Sequence, residues 1–376
     1  MPLHTEVIER LERLVQLEQP WRELAHTCSC PAALPGWQLA WWRHVAPEGS
    51  LLRVVAVFEN EDLVGLAPFF VNPGRRVDYR LLGAGTTHRI SPLSVPGRER
   101  EIAALVARTL AGSSPRPDLV AFEGIDIASP WPQIFVESWP GRFRPWRYIA
   151  SVLPAPVLEL EGGFEEWLAA RSRSFRRQIA QTQRKIEEEQ GSVELAREPA
   201  AVKLATKAFG DLHFRRWQKR GGSSLETSVI ALLEDAAANL VERDEMRLWV
   251  VELGGRPLCV SVFLAAGGET LSFNSGFDES RSDLRPGLLA MFAAIEDAFA
   301  RGERRFDLGG GATSYKLRFT SQDAPICWTG IVPHTGRYRL TRMRLAPDQA
   351  RWLITRIGRR LPSAWRRQIK RIARRR

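Results

Sequence analysis

Arg53-Val-Val-Ala-Val57 … Leu63-Val-Gly-Leu-Ala-Pro-Phe69 and Arg247-Leu-Trp-Val-Val251 … Pro257-Leu-Cys-Val-Ser-Val-Phe263 align at a constant offset of 194 residues. Each is an apolar, β-branched run, a short polar connection and a second apolar run, which is the pattern of two strands joined by a hairpin. A helical stretch bearing a Trp (Trp42, Trp217) precedes each. The echo predicts two copies of one α/β unit packed side by side, with these hairpins in equivalent places.

Working outward, residues 1–20 carry Val7, Ile8, Leu11, Leu14 and Val15 at helical spacing and predict an amphipathic helix. A short strand over 79–85 leads into a polar loop with Thr86, Thr87 and His88. A helix over 99–110 and a strand over 118–123 follow, and the Pro-rich stretch 129–145 reads as a connection. In the second half, helices are expected over 171–190, 202–220 and 225–242, the second stopped by Gly221-Gly222. Strands are expected over 247–253, 258–265 and 270–277, then a helix over 286–300 with Pro286 in its first turn, where helices accept proline. A last strand covers 305–309. The expected limits are a helical N-terminal extension (1–36), a first unit (37–150), a second, catalytic unit (151–336) and a tail (337–376).

The 376 residues are enough for two or three domains. With 44% hydrophobic and 26% charged residues, the composition excludes wholesale disorder, collagen-like repeats and coiled coil. No run approaches the roughly 18 apolar residues of a spanning helix; the longest, 63–71, contains Pro68. Glu6, Glu9, Arg10, Glu12 and Arg13 exclude a signal peptide. Four scattered Cys, with Cys28 and Cys30 an isolated pair, fit neither a disulfide scaffold nor a zinc site. A reduced, cytoplasmic protein without a metal is expected.

The net charge of +11 is a property of the tail. Residues 337–376 hold 15 Arg and Lys against one acid, Asp348, a net +14; the other 336 residues hold 39 bases and 42 acids, a net −3. A slightly acidic body argues against nucleic acid as partner. In the tail, Trp352, Leu353, Ile357, Leu361, Trp365, Ile369 and Ile372 recur every three to four residues among Arg, with Pro362 as a bend. That pattern suits a helix lying on an anionic membrane, at the inner face of the bilayer. It equally suits a terminal helix docked on the body, and the sequence leaves the two open.

Three segments in combination carry a family resemblance. They are Ser174-Phe-Arg-Arg-Gln-Ile-Ala-Gln-Thr-Gln-Arg-Lys-Ile-Glu-Glu-Glu-Gln-Gly191, Leu212-His-Phe-Arg-Arg-Trp217, and Arg305-Phe-Asp-Leu-Gly309 with Ser314-Tyr-Lys-Leu-Arg-Phe319. The chain resembles the CelD-like acetyltransferases of the GNAT superfamily, relatives of the Fem aminoacyltransferases, over about 37–333. The resemblance implies tandem GNAT-like α/β units, an acetyl-CoA or other acyl-CoA donor, and a role tied to exopolysaccharide or the cell envelope.

Acyl transfer from a thioester to an amine requires a grip on the donor's pyrophosphate, removal of a proton from the amine, and stabilisation of the oxyanion and thiolate. The segment Arg281-Ser-Asp-Leu-Arg-Pro-Gly-Leu288 is the expected donor loop. Gly287 and Leu288 open a helix whose dipole favours anions, and Arg281 and Arg285 add charge. The loop keeps one glycine, and its proline removes an amide donor. Asp307, in an apolar strand before three glycines, is either base or cap of those glycine amides. Lys316 is a candidate for holding an acceptor phosphate or the oxyanion, and Tyr315 for protonating the thiolate. His213, beside aromatics, is either base or packing residue. The expected function is N-acyl transfer to an amine-bearing small molecule or sugar. The alternatives are a non-catalytic degenerate GNAT scaffold and a Fem-like transferase using aminoacyl-tRNA.

Overall fold

The computed structural model describes residues 2–72, 74, 76–218 and 227–360. The two hairpins fall in two separate sheets. The first contains β1 (Leu3–Ile8), β2 (Leu51–Glu59), β3 (Asp62–Asn72), β4 (Asp78–Leu81), β6 (Leu119–Asp126), β14 (Ile326–Val332) and β7 (Trp146–Leu153) in that spatial order, and the short β5 (Leu93–Ser94) pairs with β3. The second runs β8 (Val157–Glu159), β13 (Arg305–Asp307), β12 (Glu269–Phe277), β11 (Arg256–Ala266), β10 (Met246–Leu253) and β9 (Gly191–Ala196).

The echo in the sequence is an echo in the topology. β1 to β4 form an antiparallel series and β6 joins β4 in parallel; β9 to β12 form the same series and β13 joins β12 in parallel. Beyond each parallel pair the sheet continues antiparallel, through β14 and then β7 in the first sheet and through β8 in the second. A parallel neighbour requires a crossover. Helix α4 (Glu99–Gly112) supplies it in the first unit and α10 (Pro286–Ala300) in the second. The hairpins therefore occupy equivalent places. In the first, Asn60 takes the left-handed conformation (φ 56°) of the two-residue turn.

Continuous apolar strands signal burial on both faces. Along β2, Val54 and Ala56 enter one core while Val55 and Val57 enter the other. The core on the first of these faces is shared between the units. Trp21, Trp37 and Trp41 lie in it with Leu233, Leu248 and Val260. Trp21 belongs to α2 (Glu18–Thr27), which follows the short α1 (Leu11–Gln16), and Trp37 and Trp41 to α3 (Pro35–His44). Helix α3 packs on α9 (Ser228–Leu240) of the second unit, and a methyl group at Gly36 would stand 2.8 Å from Leu240 Cδ2. Arg22 (3.2 Å) and His26 (2.8 Å) both pair with the buried carboxylate of Glu245, a second tie across the units.

Several elements differ from expectation. Residues 3–8, read as helix, form β1: Thr5, Val7 and Ile8 are β-branched, and the edge of β2 offers a ladder that outweighs the helical spacing. The connection 129–145 contains α5 (Trp131–Ser138), whose Pro132 sits in the first turn, where its missing N–H costs nothing. The strand expected over 79–85 ends at Leu81. β14, late in the chain, completes the first sheet between β6 and β7, so sequence order and sheet membership part there. The second unit adds α6 (Phe164–Ala169), α7 (Arg173–Glu188) and α8 (Pro199–Gln218). The expected stop at Gly221-Gly222 lies outside the described residues.

The tail begins as α11 (Tyr338–Arg360). Leu345 is buried with Tyr148 beneath it, Gln349 Oε1 accepts the Ile149 N–H of β7 at 2.6 Å, and Arg342 lies over Trp146. The opposite side exposes Leu340, Met343 and Ile354. Leu361, Pro362, Trp365, Ile369 and Ile372, which carried the rest of the expected stripe, lie outside the described residues. No described helix is long and apolar enough to cross a membrane.

Candidate active site

β13 pairs with β12 only through Leu271, opposite Asp307, while β12 runs on to Phe277. Past that point the two strands part. Just there, β12 bulges. Val262 of β11 faces Asn274 and Phe263 faces Ser272, which leaves Phe273 as the extra residue. A bulge takes a residue out of the ladder and re-aims its neighbours. The opening is the mouth of a cleft of about 820 Å³, walled by Ser272–Ser275 of β12, the start of α10 and the loop from Leu308 to Arg318. From the first unit, residues 85–88 close its far side.

At the start of α10, Arg285 is left-handed (φ 43°) and Pro286 occupies the first helical turn. Arg285, Gly287 and Leu288 all line the cleft. A Cβ on Gly287 would meet nothing closer than Phe277 Cδ1 at 3.9 Å, so open space adjoins that amide. As the second helical residue, Gly287 has no intrahelical partner for its N–H. That amide and the Arg285 cation are the groups here that could hold a phosphate. Arg281 is elsewhere: its guanidinium binds Glu189 at 2.9 Å and tethers the end of α7.

Lys316 lies in a short 3₁₀ turn and is buried. Its Nζ donates to the carbonyls of Gly309 (3.1 Å) and Gly310 (3.0 Å) and lines the cleft. Burial pulls its pKa down to about 8, against a smaller opposing pull from Asp307. Tyr315 keeps 41% of its surface exposed, and desolvation around the phenol holds its pKa up to about 12. Both side chains reach the cleft.

Asp307 is buried and both oxygens are engaged. Oδ1 accepts the Gly309 N–H at 2.6 Å and Oδ2 accepts from Arg89 at 2.5 Å. Arg89 also binds Asp126 and the Ala324 carbonyl, so it joins the two sheets. Asp307 thus caps the glycine amides, and it is not among the cleft-lining residues. His213 is buried against Phe209 and Phe214 under the far end of β12, also away from the lining; burial pushes its pKa down. Cys259 is a core residue whose thiol burial raises to about 12.

Three further residues of the wall stand outside the site residues expected from sequence. Arg216 lies over Phe277 (4.2 Å) and pairs with Glu279; Arg318 lies over Phe175 and donates to Gln178. His88, from the first unit's polar loop, is the third. With Arg285 and Lys316 the described lining carries four cations and, among the described residues, no carboxylate, on a body that is net acidic. Among the described residues no group of three His, Cys, Asp or Glu could hold a metal ion.

Comparison with known proteins bears on this cleft. Residues 173–317 match the family model described as acetyltransferase (GNAT) domain, a span that contains the cleft's strands, the start of α10 and Lys316. The fold resembles the crystal structure of FemX (TM-score 0.61, 10% identity, 89% of this chain and 99% of that one). It also resembles L-PGS from Bacillus licheniformis (0.55, 12%, 89% and 96%). A third similar structure is the C-terminal domain of a putative lysylphosphatidylglycerol synthetase from Agrobacterium fabrum (0.54, 11%, 88% and 95%). No curated protein matches by sequence. The fold is a tandem GNAT-like α/β arrangement, and the chain is an acyltransferase.

Proposed function

We propose that the protein moves an acyl group from acetyl-CoA or another acyl-CoA to an amino group on an envelope- or exopolysaccharide-related acceptor. The observation that carries this reading is the parting of β12 from β13 directly over the start of α10. A helix start favours phosphate, and an opening between strands leaves room for a thioester chain. The donor's pyrophosphate would meet Gly287 N–H and Arg285, with Leu288 against its apolar part. The Phe273 bulge and Lys316 would face the oxyanion, and Tyr315, protonated throughout the neutral range, would give its proton to the leaving thiolate. Asp307 would act through others, fixing the Gly309–Gly310 loop that holds Lys316. Membership of the CelD-like group within GNAT rests on the three quoted segments.

The same proposal puts the protein in the cytoplasm, resting on the inner face of an anionic membrane, a location supported by the exposed Leu340, Met343 and Ile354 of α11 and the basic residues around them. The name lysylphosphatidylglycerol synthetase, borne by one structural neighbour, is a lipid enzyme's and fits such a location. An aminoacyl-tRNA donor is the second reading, favoured by Arg216 and Arg318 in the same wall. Incubation of the full chain with acetyl-CoA and a panel of amino sugars and amine-bearing envelope precursors, read by mass spectrometry, tests the first. An acylated amine and free coenzyme A are expected. Transfer from aminoacyl-tRNA with none from acyl-CoA would establish the second reading instead.

A further inference from the structure

Among the described residues, the second unit's own wall offers neither a carboxylate nor an imidazole to take the proton of the acceptor ammonium. Its described lining has cations, hydroxyls and amides, and Asp307 and His213 are both turned to other partners. One imidazole does line the cleft, and it comes from the other unit. His88 follows Gly83 and Gly85, whose positive φ angles (89° and 80°) turn the chain after β4. Its ring stands between two glycines. A Cβ on Gly124 would lie 3.0 Å from Nδ1, and one on Gly310 would lie 3.3 Å from Nε2. The edge of Trp328 fixes the third side, with centroids 5.5 Å apart at 82°. The Nε2 edge therefore faces the Gly309–Gly310 dipeptide whose carbonyls hold Lys316.

We propose that His88, delivered by the first unit, is the general base that deprotonates the acceptor amine in the second unit's cleft. The proposal rests on the acyl-CoA reading above. It gives the tandem architecture a chemical purpose: the described wall of the second unit presents no carboxylate or imidazole, and the first unit carries an imidazole in. An alkyl amine arrives as ammonium. His88 Nε2 takes one proton, and the freed lone pair attacks the thioester carbonyl carbon. As the C–N bond forms and the C–S bond breaks, the electron pair leaves with sulfur. Tyr315 gives the thiolate its proton and is repaid by the second N–H proton of the former amine. His88 releases its proton to solvent, and the products are amide, thiol and one proton.

The charged groups facing the ring are Asp307 on β13, Lys316 in the turn beyond it and Arg89 on its own loop. Burial, reinforced by the two cations and opposed by Asp307, keeps the imidazole below its ordinary 6.5. It is therefore neutral at pH 7, as a base must be.

The test is a nitrogen-15 NMR titration of the full-length chain labelled at its six histidines, with His88 identified through its contact with Trp328. The ring should titrate below pH 6.5, and its signals should move when acetyl-CoA is added. His88→Gln should bind acetyl-CoA with unchanged affinity yet lose about 10²- to 10⁴-fold in transfer to an alkyl amine, the usual worth of a general base. It should lose little with hydroxylamine, whose nitrogen is already unprotonated at neutral pH, a contrast that a purely structural histidine would not produce. A ring that is imidazolium at pH 7, or unmoved while calorimetry shows acetyl-CoA bound, overturns the proposal. Absence of acetyl-CoA binding to the wild-type chain removes the acyl-CoA reading beneath it. The titration of wild-type protein decides even if the variant fails to fold.

Discussion

Lys316 is a cation kept in a cleft that disfavours charge, and its depressed pKa gives activity a direction in pH. If protonated Lys316 stabilises the oxyanion, turnover falls as pH rises through about 8, where the proton is lost. On the other side, turnover grows as pH climbs through the depressed value of His88. A bell-shaped profile results. Lys316→Ala should erase its alkaline limb and lower turnover about 10²- to 10³-fold, the scale of losing an oxyanion donor, with donor affinity little changed. Asp307→Asn should act on the fold first. Replacing one carboxylate oxygen by an amide NH2 leaves Arg89 or Gly309 without its acceptor and should cost about 2–3 kcal/mol in urea unfolding, the scale of hydrogen bonds to charged groups; without the Asp307 charge, which raises both Lys316 and His88, both limbs of the pH profile should move to lower pH. Lys316, Tyr315, Arg285, Gly287 and Leu288 were legible because they sit in or beside motifs. His88 was not, because a lone histidine in a polar loop has no periodicity, and its neighbours Gly310 and Trp328 are met only when β14 crosses into the first sheet.

At the scale of elements, α11 settles into two faces. Leu345 and Gln349 dock on β7 and Thr341 is buried with them, while Leu340, Met343 and Ile354 point away, flanked by Arg344 and Arg351. Docking and membrane contact, open alternatives in the sequence, are thus compatible on one helix. Leu340→Asp combined with Met343→Asp should leave thermal unfolding unchanged and reduce sedimentation with anionic vesicles at low salt; unchanged sedimentation would reject contact through this face. Gly36→Val should push α9 from α3 and destabilise by about 1–3 kcal/mol, the usual cost of overpacking, read by denaturant unfolding. β1 was misread because helical spacing of apolar residues says nothing of a free strand edge nearby. The short β8 and β13 were hard to foresee for a related reason: strands of three residues are defined by their partners more than by their own pattern.

Across the whole molecule, one core runs through both units, from Trp21 and Trp37 to Leu248 and Val260. Two sheets that share a core should unfold together. Calorimetric and van't Hoff enthalpies should agree in a single transition, and two separate transitions would show the units to be independent. The tandem architecture was readable from the hairpin echo, because a duplicated pattern survives when individual strand limits do not. The return of β14 to the first sheet was not readable, since nothing local distinguishes a strand that continues its own unit from one that crosses back. The cleft between β12 and β13 as donor site is most directly tested by calorimetric titration of acetyl-CoA into the full-length chain and into Arg285→Glu. One site per chain in the wild type, weakened at least tenfold by the reversed charge beside Gly287, is the expected result. Equal binding by both proteins would put the donor elsewhere, and no binding by the wild type would contradict an acyl-CoA donor altogether.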